Sequence, residues 1–286
     1  MDTRFWLIQT FNGVSYGALL FLVGSGLSLI FGVMRIVNLS HGSYFLLGGY
    51  VALSVIWTTG SWYLAIPVAG IAIAMVGLVM ERLFLRPLGF DPLRQVLLTV
   101  GFAFLFQQAA LDIWGGNNME IHPPSALTHS VVIGGLYFPL YRIFMIVVAL
   151  VIGVATWLVI EKTRLGAAVR ATVDDAQMAR GVGIDTNRIS MLIFALGAFL
   201  AALGGVIGGA FLGVYPGLDF EMLPLAFAVV IIGGMSSLGG AAIGAMLVGL
   251  ADNFGKALFP ELAYFTLYAP MVLILAIKPT GLFGRE

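Results

Sequence analysis

Charge is distributed very unevenly along this chain: long uncharged stretches alternate with short clusters that hold nearly all the ionisable side chains. Residues 5–34 carry no charge, and 36–80 carry none apart from the ionisable His41. Further clean runs cover 95–111, 143–160, 189–218, 222–251 and 262–277. A bilayer-spanning helix needs about 20 apolar residues, so the second run must hold two helices, parted near Thr58-Thr59-Gly60-Ser61. The pattern predicts an all-α polytopic membrane protein of about eight transmembrane helices, a single transmembrane domain over residues 1–286.

The clusters between the runs give the orientation. Segment 81–94 carries Arg82, Arg86 and Arg94, and 161–188 carries Lys162, Arg164, Arg170, Arg180 and Arg188, whereas 112–141 has no Lys or Arg. Positive loops stay on the cytoplasmic side. Segment 112–141 and the short acidic turn at Asp219 and Glu221 are then expected outside, and the amino terminus also counts as outside. With a cytoplasmic tail from Lys278, stretch 222–251 must enter and leave on the outer side, as two short helices or a re-entrant hairpin. Its middle fits: Gly233-Gly234-Met235-Ser236-Ser237-Leu238-Gly239-Gly240 breaks a helix rather than continuing one. Non-helical backbone at membrane depth is tolerated only where protein buries it or a wet cavity adjoins it.

Composition agrees. The chain is 60% hydrophobic and 10% charged, against about 25% charged in a soluble domain. Fourteen basic residues balance fourteen acidic ones, so no basic surface points to nucleic acid. Cysteine is absent, which excludes disulfides and thiol chemistry. The first residues do not read as a cleaved signal, because the apolar run is too long for one. Glycine numbers 37, and in the sixth span Gly197, Ala201, Gly205, Gly209 and Gly213 recur every four positions. Gly13, Gly17, Gly24, Ser28 and Gly32 form a similar stripe in the first span. Such stripes let helix backbones approach closely.

Several energy sources are disfavoured. Ion-coupled carriers need ionisable groups inside the bilayer, and the runs hold almost none; His41, beside Asn38, Ser40 and Gly42, reads as a locally satisfied helix-end group. Gly255-Lys256 is no phosphate loop, because Leu250 stands at the first glycine position and Ala257 replaces the magnesium-binding hydroxyl. No hydrolase motif appears, and His122 and His129 lack further ligands for a metal. What remains is a pore, or a permease driven by a partner. The handle for such a partner is loop 161–188, in which 165–180 is helix-compatible and amphipathic, with Arg170 and Asp174 one turn apart and able to pair, and Gly181 and Gly183 closing it.

At this loop the sequence resembles the permease subunits of bacterial ATP-binding-cassette importers for branched-chain amino acids. Arg170-Ala171 followed by Asp174-Asp175, Met178-Ala179 and Gly183-Ile184 is similar to the family's coupling segment. Asn38-Leu39-Ser40-His41-Gly42 with Gly48-Gly49-Tyr50 resembles its second-span motif, 232–240 its glycine-rich break, and 278–284 its tail. Ser40 stands where alanine is commoner and Lys278 where arginine is usual. The resemblance implies a shorter, first permease of a pair, working with two ATP-binding subunits that hold ATP and magnesium, a second homologous permease, and an extracytoplasmic binding protein. The chain itself is expected to bind no cofactor and to sit, multi-pass, in the lipid of the bacterial inner membrane. Coupling is expected at Arg170, Asp174, Asp175, Met178 and Gly183. The two breaks, with Asn38, His41 and Gly42 in one and Gly233, Gly234, Ser236 and Ser237 in the other, either line the path or serve as hinges. A related permease for urea or short amides, and a passive small-solute channel, are the alternative readings.

Overall fold

The computed structural model describes residues 3–89, 91–235 and 237–284. Among these, six helices are long and apolar enough to cross a membrane. They are α1 (Thr3–Met34), α3 (Trp62–Met80, continuing through the turns Glu81–Leu85 and Arg86–Leu88), α4 (Pro92–Trp114), α5 (Leu140–Lys162), α8 (Thr186–Leu212) and α10 (Leu238–Leu258). Between them lie α2 (His41–Thr59), α6 (Arg164–Asp174), α7 (Ala176–Gly181), α9 (Leu218–Gly233) and α11 (Ala263–Ile277). The predicted division near residue 60 falls at Gly60, whose φ of 69° ends α2 in the left-handed conformation, and Ser61 then caps α3 by accepting from the Leu64 amide. Left-handed backbone is open to glycine without a Cβ penalty.

Apolar residues surround α1 on all sides, and a helix of that kind belongs in the centre of a bundle. The best apolar window of α1 is 83% buried, whereas those of α4 and α5 are 17% buried. Thus α1 and α8 form the core, and α4 and α5 offer apolar flanks to lipid or to another subunit. The small-residue stripe of α8 is used within the chain. Gly197 faces Gly26 and Ile30 of α1, Gly205 lies on the backbone of Phe45 in α2, Gly209 meets Ile121 and Val214, and Ala201 is fully buried. On α1, Gly13 and Gly17 admit the backbone of α10 at Gly249, Leu250 and Met246.

Both basic loops lie at one end of the bundle, where the Arg86 guanidinium donates to the Asn187 carbonyl at 3.2 Å. The beginning of α1 lies at the other end beside segment 112–141, with the rings of Phe11 and Phe138 4.8 Å apart. That segment corrects the all-α expectation in one place. Ser130–Ile133 (β1) and Leu136–Pro139 (β2) pair antiparallel across Gly134 and Gly135, at φ 59° and 78°. Two adjacent glycines of positive φ between β-branched and aromatic residues make a two-residue hairpin turn.

Candidate functional site

The first break is built by a reversal of the chain. After α1, Arg35 takes φ 53°, residues 35–40 are non-helical, and α2 begins at His41. The fully buried Asn38 holds the reversal, its Oδ1 accepting from the Ser40 amide (3.1 Å) and hydroxyl (2.7 Å). Leu39 N–H donates to Thr99 Oγ1 of α4 at 3.2 Å. His41 is buried with Nε2 3.0 Å from the carbonyl of Val23, well inside α1. A carbonyl only accepts, so Nε2 carries the proton and Nδ1 is left as an acceptor.

The start of α2 meets the start of α9. At Gly42 a Cβ would land on the Asp219 carbonyl oxygen, so only glycine permits this approach. One residue on, Ser43 Oγ donates to Asp219 Oδ2 at 3.1 Å. Asp219 is 2% exposed. Its neighbour across α2 is Tyr50, which lies in electrostatic reach of the carboxylate and stacks on Trp114 at 4.9 Å. Four buried polar atoms of this region have no hydrogen-bond partner: Asn38 Nδ2, His41 Nδ1, Tyr50 Oη and Asp219 Oδ1. Asp219 therefore departs from the sequence expectation of an acid in an outer turn. Its neighbour in that turn, the exposed Glu221, fits the expectation better, accepting from the half-buried Tyr215 hydroxyl at 2.9 Å. Burial, and then Glu221, push the Tyr215 phenol up to about 12, so it stays protonated and donates.

The glycine-rich stretch lies elsewhere. The α9 helix ends at Gly233, Gly234 follows at φ 98°, and Ser237 caps α10 by accepting from Gly240 N–H at 3.0 Å. The backbones of Gly233 and Gly240 touch. Here the tail returns: Leu282 N–H donates to the Ile232 carbonyl (2.9 Å) and Phe283 N–H to that of Gly233 (3.1 Å). These bonds supply partners for carbonyls that a helix end leaves open. Asn38, His41 and Gly42 thus stand near the first residues of α9 and Gly233, Gly234 and Ser237 at its last, so the two breaks do not meet at one point. Ser236 lies outside the described residues.

The coupling loop is two helices rather than one. Thr163 caps α6 by accepting from Gly166 N–H, and Asp175 breaks the run by capping α7, its Oδ1 accepting from the amides of Gln177 (2.8 Å) and Met178 (2.9 Å). Val169 packs with Leu29 of α1 and with Ile189 and Ile193 of α8 at the basic end of the bundle. The expected Arg170–Asp174 pair is absent. Arg170 turns back to Glu161, 3.5 Å away, and donates to the Ile160 carbonyl, because the end of α5 supplies a carboxylate and open carbonyls. Asp174, Asp175, Met178 and Gly183 are exposed, Gly183 at φ 90°. Met178 is 68% and Val182 73% exposed, an apolar pair on an otherwise charged surface.

Sequence reading also missed how far acids enter the fold. Glu81, 2% exposed, continues the α3 helix and pairs with Arg86 at 2.7 Å. Asp252 pairs with Lys256 at 2.8 Å. Their signal was the basic residue one turn away; Asp219 has none.

The family described as "Branched-chain amino acid transport system / permease component" matches residues 9–275. The high-affinity branched-chain amino acid transport system permease protein BraD of Pseudomonas aeruginosa is 30% identical, with 98% of this chain and 96% of that protein covered. LivH of Escherichia coli, of the same description, is 30% identical over the same shares. The second permease type, LivM of Escherichia coli, is 28% identical over 91% of this chain and 67% of its own length. No solved structure matches. With its apolar crossings and a likeness that runs nearly end to end, this chain is a multi-pass membrane protein and belongs to the branched-chain amino acid transport permease family.

Proposed function

We propose that the chain is the shorter membrane permease of an ATP-driven importer, passing branched-chain, hydrophobic amino acids delivered by an extracytoplasmic binding protein. A family of transport permeases moves solute rather than transforming it, so ATP and magnesium belong to separate ATP-binding subunits. A second, homologous permease completes the pair, a reading supported by the likeness to both LivH and LivM. In this reading the membrane holds eight elements: seven crossings, α1 to α5, α8 and α11, and the α9–α10 hairpin, which re-enters without crossing.

The observation that carries the ATP-driven reading is the α6–α7 element. It is rooted on the core helices by Val169 and presents Met178 and Val182 among Asp174, Asp175 and Arg180 at the basic end of the bundle. A small apolar pair rimmed by charges is the composition of a docking surface. When the ATP-binding subunits close, a helix pair held in their grooves moves with them and tilts α1 and α8 as rigid bodies. Arg170 then ties the element to the end of α5, while Asp174 and Met178 face the partner.

The test is reconstitution of the natively co-purified complex with ATP inside the vesicles. Labelled leucine should accumulate and labelled urea should not, and exchanging Arg170, Asp174 and Asp175 for alanine should leave ATP hydrolysis running without uptake. Uptake by the chain alone, without nucleotide, would instead make it a passive channel.

A further inference from the structure

Among the described residues three acids are buried in this bundle, and two of them bring their own cation. Glu81 has Arg86 at 2.7 Å and Asp252 has Lys256 at 2.8 Å. Asp219, at 2% exposure, has no cation in ion-pair range among the described residues, and its Oδ1 has no hydrogen-bond donor. Taking a carboxylate out of water is costly unless a counter-charge and donors replace the solvent. The first turn of α9 gives the charge some relief, with the backbone of Gly217, Asp219 and Phe220 close to it. A helix end stabilises a charge far less than a counter-ion does, so an acid buried here still wants a cation.

The surroundings indicate what is missing. Among the described residues the groups that meet the acid from α2 are neutral, the Ser43 hydroxyl at 3.1 Å and, in electrostatic reach, the phenol of Tyr50. The site therefore has a buried carboxyl oxygen without a donor and no cation beside it. An ammonium group complements that oxygen, and a zwitterion brings one without adding net charge to the membrane interior. An isolated metal cation fits less well, since no group of three or more His, Cys, Asp or Glu gathers among the described residues.

Resting on the importer reading above, we propose that Asp219 and Ser43, at the junction of α2 and α9, form the amino acid recognition point of the permease, with Asp219 pairing the solute ammonium. Tilting of α9 against α2 opens and closes the junction, and Gly42 permits its closed form.

The experiment compares the native complex carrying the wild-type chain, D219N, D219E or S43A, in vesicles with internal ATP and saturating leucine-loaded binding protein. Asn keeps the shape of Asp and removes the charge. Leucine uptake by D219N should fall at least about tenfold while binding-protein-stimulated ATP hydrolysis stays within about twofold; D219E should recover part of the uptake and S43A should lose about threefold. Uptake by D219N within twofold of wild type overturns the proposal. A measurement on the wild type stands beside the variants in case D219N does not assemble: leucine should raise the melting temperature of the purified complex, and 4-methyl-2-oxopentanoate, which keeps the side chain and carboxylate but lacks the ammonium, should not. Equal shifts overturn the proposal. So does loss of wild-type uptake on collapsing ion gradients at fixed ATP, which would give Asp219 to a coupling ion. No leucine uptake by the wild-type complex at all would overturn the importer reading beneath it, a failure distinct from a silent D219N.

Discussion

Replacing Gly48 with alanine tests whether the close approach of α2 and α8 is what the glycines are for. A Cβ at Gly48 would sit 2.5 Å from both Cα and O of Ala202 and 2.9 Å from its carbonyl carbon. These are backbone atoms of a core helix, so no side chain can rotate away. Restoring ordinary contact at 3.4 Å requires the helices to part by about 0.9 Å. A gap of 0.5–1 Å forfeits roughly a quarter to a half of each dispersion contact across it, and overpacking in a filled core costs about 1–3 kcal/mol. Gly48→Ala should therefore lower the melting temperature of the detergent-solubilised protein, followed by size-exclusion recovery after heating. Gly101→Ala is the control, because a Cβ there meets nothing within 4 Å; alanine should leave stability unchanged or raise it by up to ~1 kcal/mol through helix propensity. Equal behaviour of the two variants, or a stabilised Gly48→Ala, would refute the packing argument.

Two further predictions concern the basic end of the bundle. Arg86→Ala leaves the 2%-exposed carboxylate of Glu81 without its partner; breaking a buried pair costs about 3–5 kcal/mol, and the partial exposure of Arg86 puts the expected loss near the lower end, measured by thermal melting, with Glu81→Gln in the same chain restoring most of it. Asp175→Ala removes both amide acceptances that start α7, a loss of about 1 kcal/mol of local helix stability; it should weaken co-purification of the ATP-binding subunits and speed amide exchange in residues 176–181 while leaving the melting temperature of the bundle alone.

How much of this was legible in the sequence depends on the range of each interaction. Charge-free runs and basic loops showed a polytopic, helical membrane chain because they are local properties of composition; six of the expected eight spans are long and apolar enough to cross among the described residues. The α2 start at His41 was legible from a polar run followed by glycine, and the glycine-rich break from the density of residues that cannot hold a helix. The hairpin at Gly134 and Gly135 had a visible signal, paired glycines between apolar residues, that the helical context hid. Asp219 was not legible as a buried group, since its place is set by α2, more than one hundred residues earlier in the chain, with Ser43 at a sequence separation of 176. Only the acid in the first turn after Gly217 hinted that a helix starts there. Likewise Arg170 had two carboxylates within reach by sequence, and only the position of the α5 end selected Glu161 over Asp174.

The backbone bonds from Leu282 and Phe283 to Ile232 and Gly233 set an order on biogenesis. The carbonyls that close α9 wait for amides that leave the ribosome only after both α10 and α11 have been made. During synthesis α9 is held in the translocon, or in lipid, with that end unfinished. These three helices consequently mature as one unit, and a chain stopped between α10 and α11 should linger as a substrate for membrane quality-control proteases.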